Sequence, residues 1–412
     1  MSDERVIDYL RRRGRVTPPH ELVANVMEAI DSVPDAPSRF GAFLPAVVAV
    51  GAAVAIAALA LVLGPGRDIG PAPSPSASDG EAVQSVDYRA YVGDVLDALE
   101  VLHWNSGDID WEAARSAALD GLPDDPPADQ AYARIRAAIE TFDFFSTVFV
   151  RPQDVPSEVT SGDGEPLQLP VAGRLGAVGH VALPSPGDSV SADAVGAYVR
   201  AGRTVMAAVE AVEPACGWVV DLRDYAGGAW GPPMLVLGGL IGEGRVVTFA
   251  SQSGEWGLDI DANGNVTVGG FDESDLPLPS PYFANAETED EFARIVESEP
   301  PHVPAISEPP VAVLVGNGTA RGGEETLVAF LGRPSTRVFG GPTAGEPIVA
   351  PNLPMTDGAA LRVPTWVPVD REGTRHTTNI LPAEAVGDTR ASGGDSVLDA
   401  AVDWLEGQAG CS

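Results

Sequence analysis

The sequence predicts an α/β fold that is preceded by a small helical subdomain and by one transmembrane helix. Three observations predict this arrangement. Strand and helix signals alternate from residue 176 onward, as expected for a sheet covered by helices. Residues 87–139 carry apolar side chains at helical spacing. Residues 43–64 form an uncharged apolar run that is long enough to cross a bilayer as a helix.

The composition excludes nucleic acid as a partner. The 412-residue chain has a net charge of −34, and phosphate binding needs clustered cations. All 25 basic residues are arginines, so the chain offers no lysine for catalysis. The two cysteines, Cys216 and Cys411, are far apart and lack metal-ligand spacing. We therefore expect no metal and no cofactor.

The charges on either side of the apolar run predict its orientation. Arginines are concentrated in residues 1–42, and only one follows the run closely. The positive-inside rule then places residues 1–42 in the cytoplasm and the chain after residue 64 outside the cell membrane. Residues 65–86 are rich in Pro, Ser and Gly and read as a linker. No cytoplasmic partner for the N-terminal segment can be named from its residues.

The remaining chain divides into a helical subdomain, residues 87–150, and a core domain, residues 151–412. Two segments of the core carry the chemistry. A buried strand at 217–223 runs into Gly227 and Gly228, and a β-branched strand at 311–315 runs into a Gly-rich turn and a helix. A strand, tight turn and helix in succession present a nucleophile beside backbone N–H donors.

These segments resemble the tail-specific, or C-terminal-processing, serine peptidases. Residues 316–324, GNGTARGGE, are similar to the family's nucleophile turn, G-x-G-T-A-S-S-G-E. Residues 221–228, DLRDYAGG, are similar to its D-L-R-G-N-G-G-G segment. The roughly 30 residues from 146 to 176 are too few for a PDZ domain, so the chain resembles PDZ-less members. The resemblance implies a crotonase-like layered core.

The same resemblance implies a degenerate catalytic centre. Arg321 stands at the nucleophile position, and its guanidinium stays protonated. Residues 143–146, DFFS, correspond to D-G-H-S in the branch that uses histidine as base. Asp143 and Ser146 match, whereas Phe145 replaces the histidine. The other branch uses a lysine base, which this chain lacks. The orienting acid should fall at 376–379, where there is no carboxylate.

Backbone donors can survive such changes, and we expect an oxyanion site formed by Gly227, Gly228 and Gly322. In the former cleft, Arg321 could hold a carboxylate such as a peptide C-terminus. The leading hypothesis is therefore a membrane-anchored protein that binds polypeptide without cutting it. Two alternatives stay open. One is an active serine peptidase with displaced catalytic residues, and the other is a structural or signalling ectodomain.

Several other residues are expected to be structural. His180 lies in a strand and reads as a satisfied core residue, while His103 and His376 read as surface or helix-end residues. The segment 259–264 imitates the start of a calcium loop but lacks the bidentate Glu. An outer compartment permits disulfides, so a Cys216–Cys411 bond is possible.

Overall fold

The computed structural model describes residues 86–143, 146–155, 167–187, 192–211, 213–252, 254–269, 300–408 and 410–411. The predicted transmembrane helix, the linker and Phe145 lie outside these residues. Within these ranges no helix is both long and apolar enough to cross a membrane.

Three helices precede the sheets and pack against one another. They are α1 (Tyr88–Leu102), α2 (Trp111–Leu119) and α3 (Ala128–Ile139). Asp87 caps α1 by accepting hydrogen bonds from two N–H groups of its first turn, and Asp110 caps α2 in the same way. Their apolar faces form a cluster that also takes in Phe149 and Leu361 from the following chain. The helices therefore pack against strands that lie both before and after residue 151, the predicted start of the core domain.

A six-stranded sheet lies at the centre of the molecule. Its order is β13-β9-β8-β4-β3-β2, and every neighbouring pair is parallel except β2 with β3. All five side chains of β8 are buried, as its β-branched run predicts. The strands are β2 (Val171–Leu175), β3 (Val178–Ala182), β4 (Trp218–Asp221), β8 (Val311–Val315), β9 (Thr336–Gly340) and β13 (Glu384–Ala385).

Helices cover both faces of this sheet. On one face, α4 (Ala192–Glu210), α5 (Gly231–Ile241) and α6 (Gly322–Phe330) share a core with the alternate residues Val181, Val220 and Val313. On the other face, α7 (Ser396–Glu406) packs on Val219, Ala312 and Leu314. The alternation follows from the two-residue period of a strand.

Two smaller antiparallel sheets complete the fold. The first has the order β12-β5-β6-β7, with bounds Val367–Val369, Gly244–Ala250, Glu255–Ile260 and Val266–Gly269. The second has the order β1-β11-β10, with bounds Val148–Val150, Ala360–Arg362 and Asn352–Pro354. The second sheet packs on the helical cluster, because Phe149 and Leu361 belong to both.

Cys216 and Cys411 form a disulfide, with Cα atoms 5.0 Å apart and 195 positions between them in sequence. Cys216 lies just before β4 and Cys411 follows α7. The bond therefore fixes the last helix to the central sheet and closes most of the core into one covalent loop.

Candidate functional site

The turn between β8 and α6 has the strained geometry of a nucleophile elbow. Arg321, at its tip, has φ +48° and ψ −113°. That conformation lies outside the ordinary left-handed region and is costly for any residue with a Cβ atom. The side chain of Arg321 is 36% exposed, so the turn lifts it out of the core. Arg321 thus stands at the exposed tip of a strained turn.

Two buried side chains hold the elbow in this shape. The Thr319 hydroxyl donates to the carbonyl of Leu222 (2.9 Å) and accepts from the N–H of Gly316 (3.1 Å). Glu324 has no exposed surface, and one of its oxygens accepts from the N–H of Arg321 at 3.1 Å. The elbow is therefore fixed both to the end of β4 and to its own helix.

Glu324 also fixes a second turn, residues 343–346, which we call the latch turn. Its carboxylate accepts from the Thr343 hydroxyl (2.5 Å) and from the N–H groups of Gly345 and Glu346 (2.8 Å each). By its position in the first turn of α6, Glu324 favours the helix dipole. The structure shows a fully hydrogen-bonded carboxylate that joins the elbow to the latch turn.

Arg321 reaches across to the latch turn. Its Nε lies 2.9 Å from Oε2 of Glu346, and the two side chains are 36% and 52% exposed. An ion pair this open to water is screened and contributes at most about 1 kcal/mol. Another carboxylate can therefore exchange with Glu346 at little cost.

The backbone donors differ from the expected oxyanion site. The N–H of Gly227 donates to the carbonyls of Tyr225 and Ala320, at 3.2 Å each, so it is committed to the turn. Gly228 and Gly322 pack directly together, since a Cβ atom on Gly322 would lie 2.5 Å from the carbonyl oxygen of Gly228. Gly322 is the first residue of α6, where N–H groups have no partner within the helix.

The loop around the predicted base is organised by Asp143. One oxygen of Asp143 accepts from the N–H of Ser146 (2.9 Å), and the other accepts from the N–H and hydroxyl of Thr147 (3.0 and 2.7 Å). The backbone of Ser146 therefore has a turn-forming role. Strand β1 follows at once and places Val148 opposite Arg362 of β11.

His103 lies beside this loop at the C-terminal end of α1, as one of the two expected positions, but it is buried and not on the surface. Its Nδ1 accepts from the N–H of Asn105 at 3.2 Å, so Nε2 carries the proton and faces Asp143 at 3.3 Å. Both ring nitrogens are occupied. His103 therefore cannot take a proton from a nearby serine such as Ser146.

The other predicted histidines lie apart from the elbow. His180 points to the α7 face of the sheet, and its Nε2 is 3.9 Å from Asp221, beyond hydrogen-bond distance; it is not the satisfied core residue expected. His376 contacts Asp370 at 2.9 Å. The turn at 370–374 packs on Gly332, just beyond the last residue of α6. The end of α6 on which this turn packs is about 13 Å along the helix from Arg321.

Glu325, in the first turn of α6, is a buried acid at the base of the elbow. Burial raises the pKa of Glu325 well above its usual range, and Glu324 adds to the rise. Arg362 and Arg321 oppose it by lowering the same pKa. The charge of Arg362 on β11 thus acts on the elbow helix.

The DLR segment holds the neighbouring strand end rigid. Arg223 is almost fully buried and binds both oxygens of Asp221, at 2.9 and 2.6 Å, and both oxygens of Asp395 at 2.6 and 2.9 Å. Burial alone would raise the pKa of Asp221, but hydrogen bonds from its neighbours lower it overall. Asp395 is the N-cap of α7, so Arg223 connects β4 to that helix.

The segment 259–264 forms no calcium loop. Asp261 instead accepts from the N–H groups of Asn263 and Asn265 and from the side-chain amide of Asn265. Across the described ranges, no group of three acidic, histidine or cysteine side chains is arranged to hold a metal ion.

The strained elbow follows β8, and the Gly227–Gly228 turn follows β4, the parallel neighbour of β8. Together they form the scaffold of a serine peptidase. The family model described as peptidase family S41 matches residues 178–386, which is just over half of the chain. The chain belongs to this family.

Three known proteins are similar to it. The nisin-resistance protein of Lactococcus lactis subsp. lactis is 25% identical over 192 residues, which is 47% of this chain and 50% of that protein. The match therefore spans about half the length of that relative. A lipoprotein from Streptococcus agalactiae has the same fold, with a TM-score of 0.56 and 17% identity over 79% of this chain and 99% of that one. The photosystem II D1 C-terminal processing protease aligns with a TM-score of 0.49 and 14% identity, over 74% and 94% of the two chains.

Proposed function

We propose that this S41-family protein has lost peptidase activity and binds polypeptide through a C-terminal carboxylate. The observation that carries the proposal is Arg321 itself: a permanent cation occupies the tip of an intact, strained elbow. The elbow is held by buried hydrogen bonds that a purely structural turn would not need. A cation in this place favours a ligand that brings a negative charge.

The groups that peptide-bond cleavage requires are either replaced or already engaged. A guanidinium cannot lose its proton to become a nucleophile or a base. His103 has both nitrogens engaged, so it cannot activate Ser146. Gly227 has committed the N–H that an oxyanion hole would use. These three losses are independent of one another, and together they argue against turnover by displaced residues.

The surroundings of Arg321 suit the end of a peptide. Glu346 already places a carboxylate on its guanidinium, which marks where a peptide carboxylate would sit. Leu381 offers an apolar contact near the latch turn, because it is 68% exposed and follows Ile380, whose N–H bonds to Thr343 at 2.7 Å. The proposed ligand is thus a polypeptide with a free C-terminus and an apolar residue near it.

Three further features belong to the same proposal. The core is crotonase-like, and the parallel order β9-β8-β4-β3 with helices on both faces supports this. Residues 43–64 anchor the chain in the cell membrane, and residues 87–150 and 151–412 form the helical subdomain and the core outside the cell. The Cys216–Cys411 bond supports an oxidising compartment.

The test compares peptides that end in a free carboxylate with the same peptides amidated. The full-length protein should bind the acid form up to about fivefold more tightly, because a carboxylate on the half-exposed Arg321 guanidinium contributes at most about 1 kcal/mol. Arg321→Met should remove that difference. Glu346→Gln should strengthen acid-peptide binding, because it removes the competing carboxylate. Nisin is one useful test peptide, since the Lactococcus relative is named for resistance to it.

Matched controls come from a second ion pair. Arg337 and Glu384 are each 43% exposed and 3.4 Å apart on β9 and β13. Arg337→Met and Glu384→Gln should leave peptide binding unchanged. Equal binding of acid and amidated peptides by the unmodified protein would contradict the proposal.

A further inference from the structure

A second site lies at the opposite end of α6 from the elbow. A cavity of about 30 Å³ opens there, and two arginines, Arg333 and Arg371, line it. The exposed side chains of Glu243 and Glu308 stand at its rim. The space accommodates about two waters, or one small anion that projects through the open side.

The two guanidinium groups have no carboxylate partner in the described part of the chain, although Arg333 is 7% exposed. Burial and the charge of Arg371 together lower the pKa of Arg333 to about 10, against an opposing effect of Glu308. Burial also lowers the pKa of Arg371, and Glu308 opposes that change. Buried charges in native proteins are normally paired, and the exposed Glu308 offsets these two cations only in part, so a small anion would complete the pairing.

Each of the two arginines uses some of its guanidinium N–H groups in hydrogen bonds that hold the fold. Arg333 donates three hydrogen bonds, to the carbonyls of Pro309 and Pro334 and to the Thr336 hydroxyl. Arg371 also donates three, to the carbonyls of residues 241, 242 and 243, and so caps the C-terminus of α5.

Each guanidinium has five N–H groups, so two on each side chain are not engaged by the described residues. One of these is the Nε of Arg371, which is buried and has no hydrogen-bond partner. The Nε of Arg333 lies on the side of Gly242, since a Cβ atom built there would be 4.0 Å from it. Two guanidinium groups that line one small cavity offer the kind of donors that an oxyanion requires.

The backbone around the cavity is strained. Glu308 and Ser335 both have φ +50°, and apart from Arg321 they are the non-glycine residues with positive φ among the described ranges. Ser335 follows Pro334, which lines the cavity. Strain of this kind costs roughly 1–3 kcal/mol per residue and concentrates at ligand sites.

We propose that Arg333 and Arg371 form a binding site for one small tetrahedral oxyanion, sulfate or inorganic phosphate. The bound anion joins the end of α5, the turn after α6 and the 370–374 hairpin turn. The site is separate from the peptide cleft and does not depend on the function proposed for Arg321.

Equilibrium dialysis of the full-length protein with labelled sulfate, and separately with labelled phosphate, tests the site at constant ionic strength set by chloride. We expect one saturable anion per chain. Glu308→Gln removes a repelling charge at the rim and should tighten binding by up to about fivefold, from the size of exposed charge interactions. Glu406→Gln, the same change at an exposed position on α7, should have no effect.

Arg371→Gln should abolish binding while its amide still donates to the end of α5, with folding checked by cooperative unfolding. If that variant does not fold, the comparison of Glu308→Gln with Glu406→Gln decides the matter. The proposal is overturned if neither anion binds saturably, or if Glu308→Gln binds no more tightly than Glu406→Gln.

Discussion

The conformation of Arg321 leads to a stability prediction whose sign is opposite to the usual one. In an ordinary helix, glycine is about 1 kcal/mol less stable than alanine. At Arg321 the backbone, at φ +48° and ψ −113°, favours glycine, because a Cβ atom there costs roughly 1–3 kcal/mol. Glycine gives back about 0.4–1 kcal/mol through the greater freedom of the unfolded chain. We therefore expect Arg321→Gly to be more stable than Arg321→Ala by about 1–2 kcal/mol.

Both variants lose the same ion pair with Glu346, so that contribution cancels in the comparison. Urea unfolding followed by tryptophan fluorescence measures the two free energies of unfolding. The control is Arg200, an exposed residue within α4, where Arg200→Gly should be about 1 kcal/mol less stable than Arg200→Ala. If alanine equals or exceeds glycine in stability at position 321, the elbow is not strained and the reasoning fails.

Three further predictions concern the scaffold. Cys216→Ser with Cys411→Ser should lower the free energy of unfolding by up to about 5 kcal/mol, because the bond closes a loop of 195 positions; a loss below about 1 kcal/mol in urea unfolding would contradict this. Arg223→Gln should cost about 3–5 kcal/mol, since it leaves the Asp221 carboxylate buried without its partner; thermal unfolding that matches the wild type would refute it. Glu325 takes up a proton on folding. The cost of burying its charged form therefore lowers the stability of the wild type as pH rises above the unfolded pKa of about 4.3. Glu325→Gln should therefore gain stability relative to wild type as pH rises, and a difference independent of pH would count against a neutral Glu325.

The sequence predicted the parts of the fold that depend on local patterns. The β-branched run at 311–315 became a fully buried strand, and the apolar periodicity of residues 87–139 became packed helices. Short motifs with fixed spacing also identified the two turns of the candidate site. These features are readable because strand burial and helix amphipathicity repeat over a few residues.

The sequence could not show contacts between distant segments. Glu324 binds a turn some twenty positions away, and nothing in its own segment indicates those hydrogen bonds. The contact of His103 Nε2 depends on Asp143, forty positions later, so the burial of His103 was missed. Arg333 and Arg371 come together only in the folded chain, where the end of α5, the turn after α6 and the 370–374 turn meet.

The most direct test of the central claim is peptide hydrolysis by the unmodified full-length protein, measured with fluorogenic peptides and with a fluorophosphonate label for reactive serines. We predict no turnover and no labelling, because the proposed function assigns the nucleophile and base positions to Arg321 and Phe145. Arg321→Ser alone should also be inactive, since its hydroxyl would have no base, whereas Arg321→Ser with Phe145→His is the variant in which activity could return. Turnover by the unmodified protein that is lost on Ser146→Ala would contradict the account and establish an active peptidase.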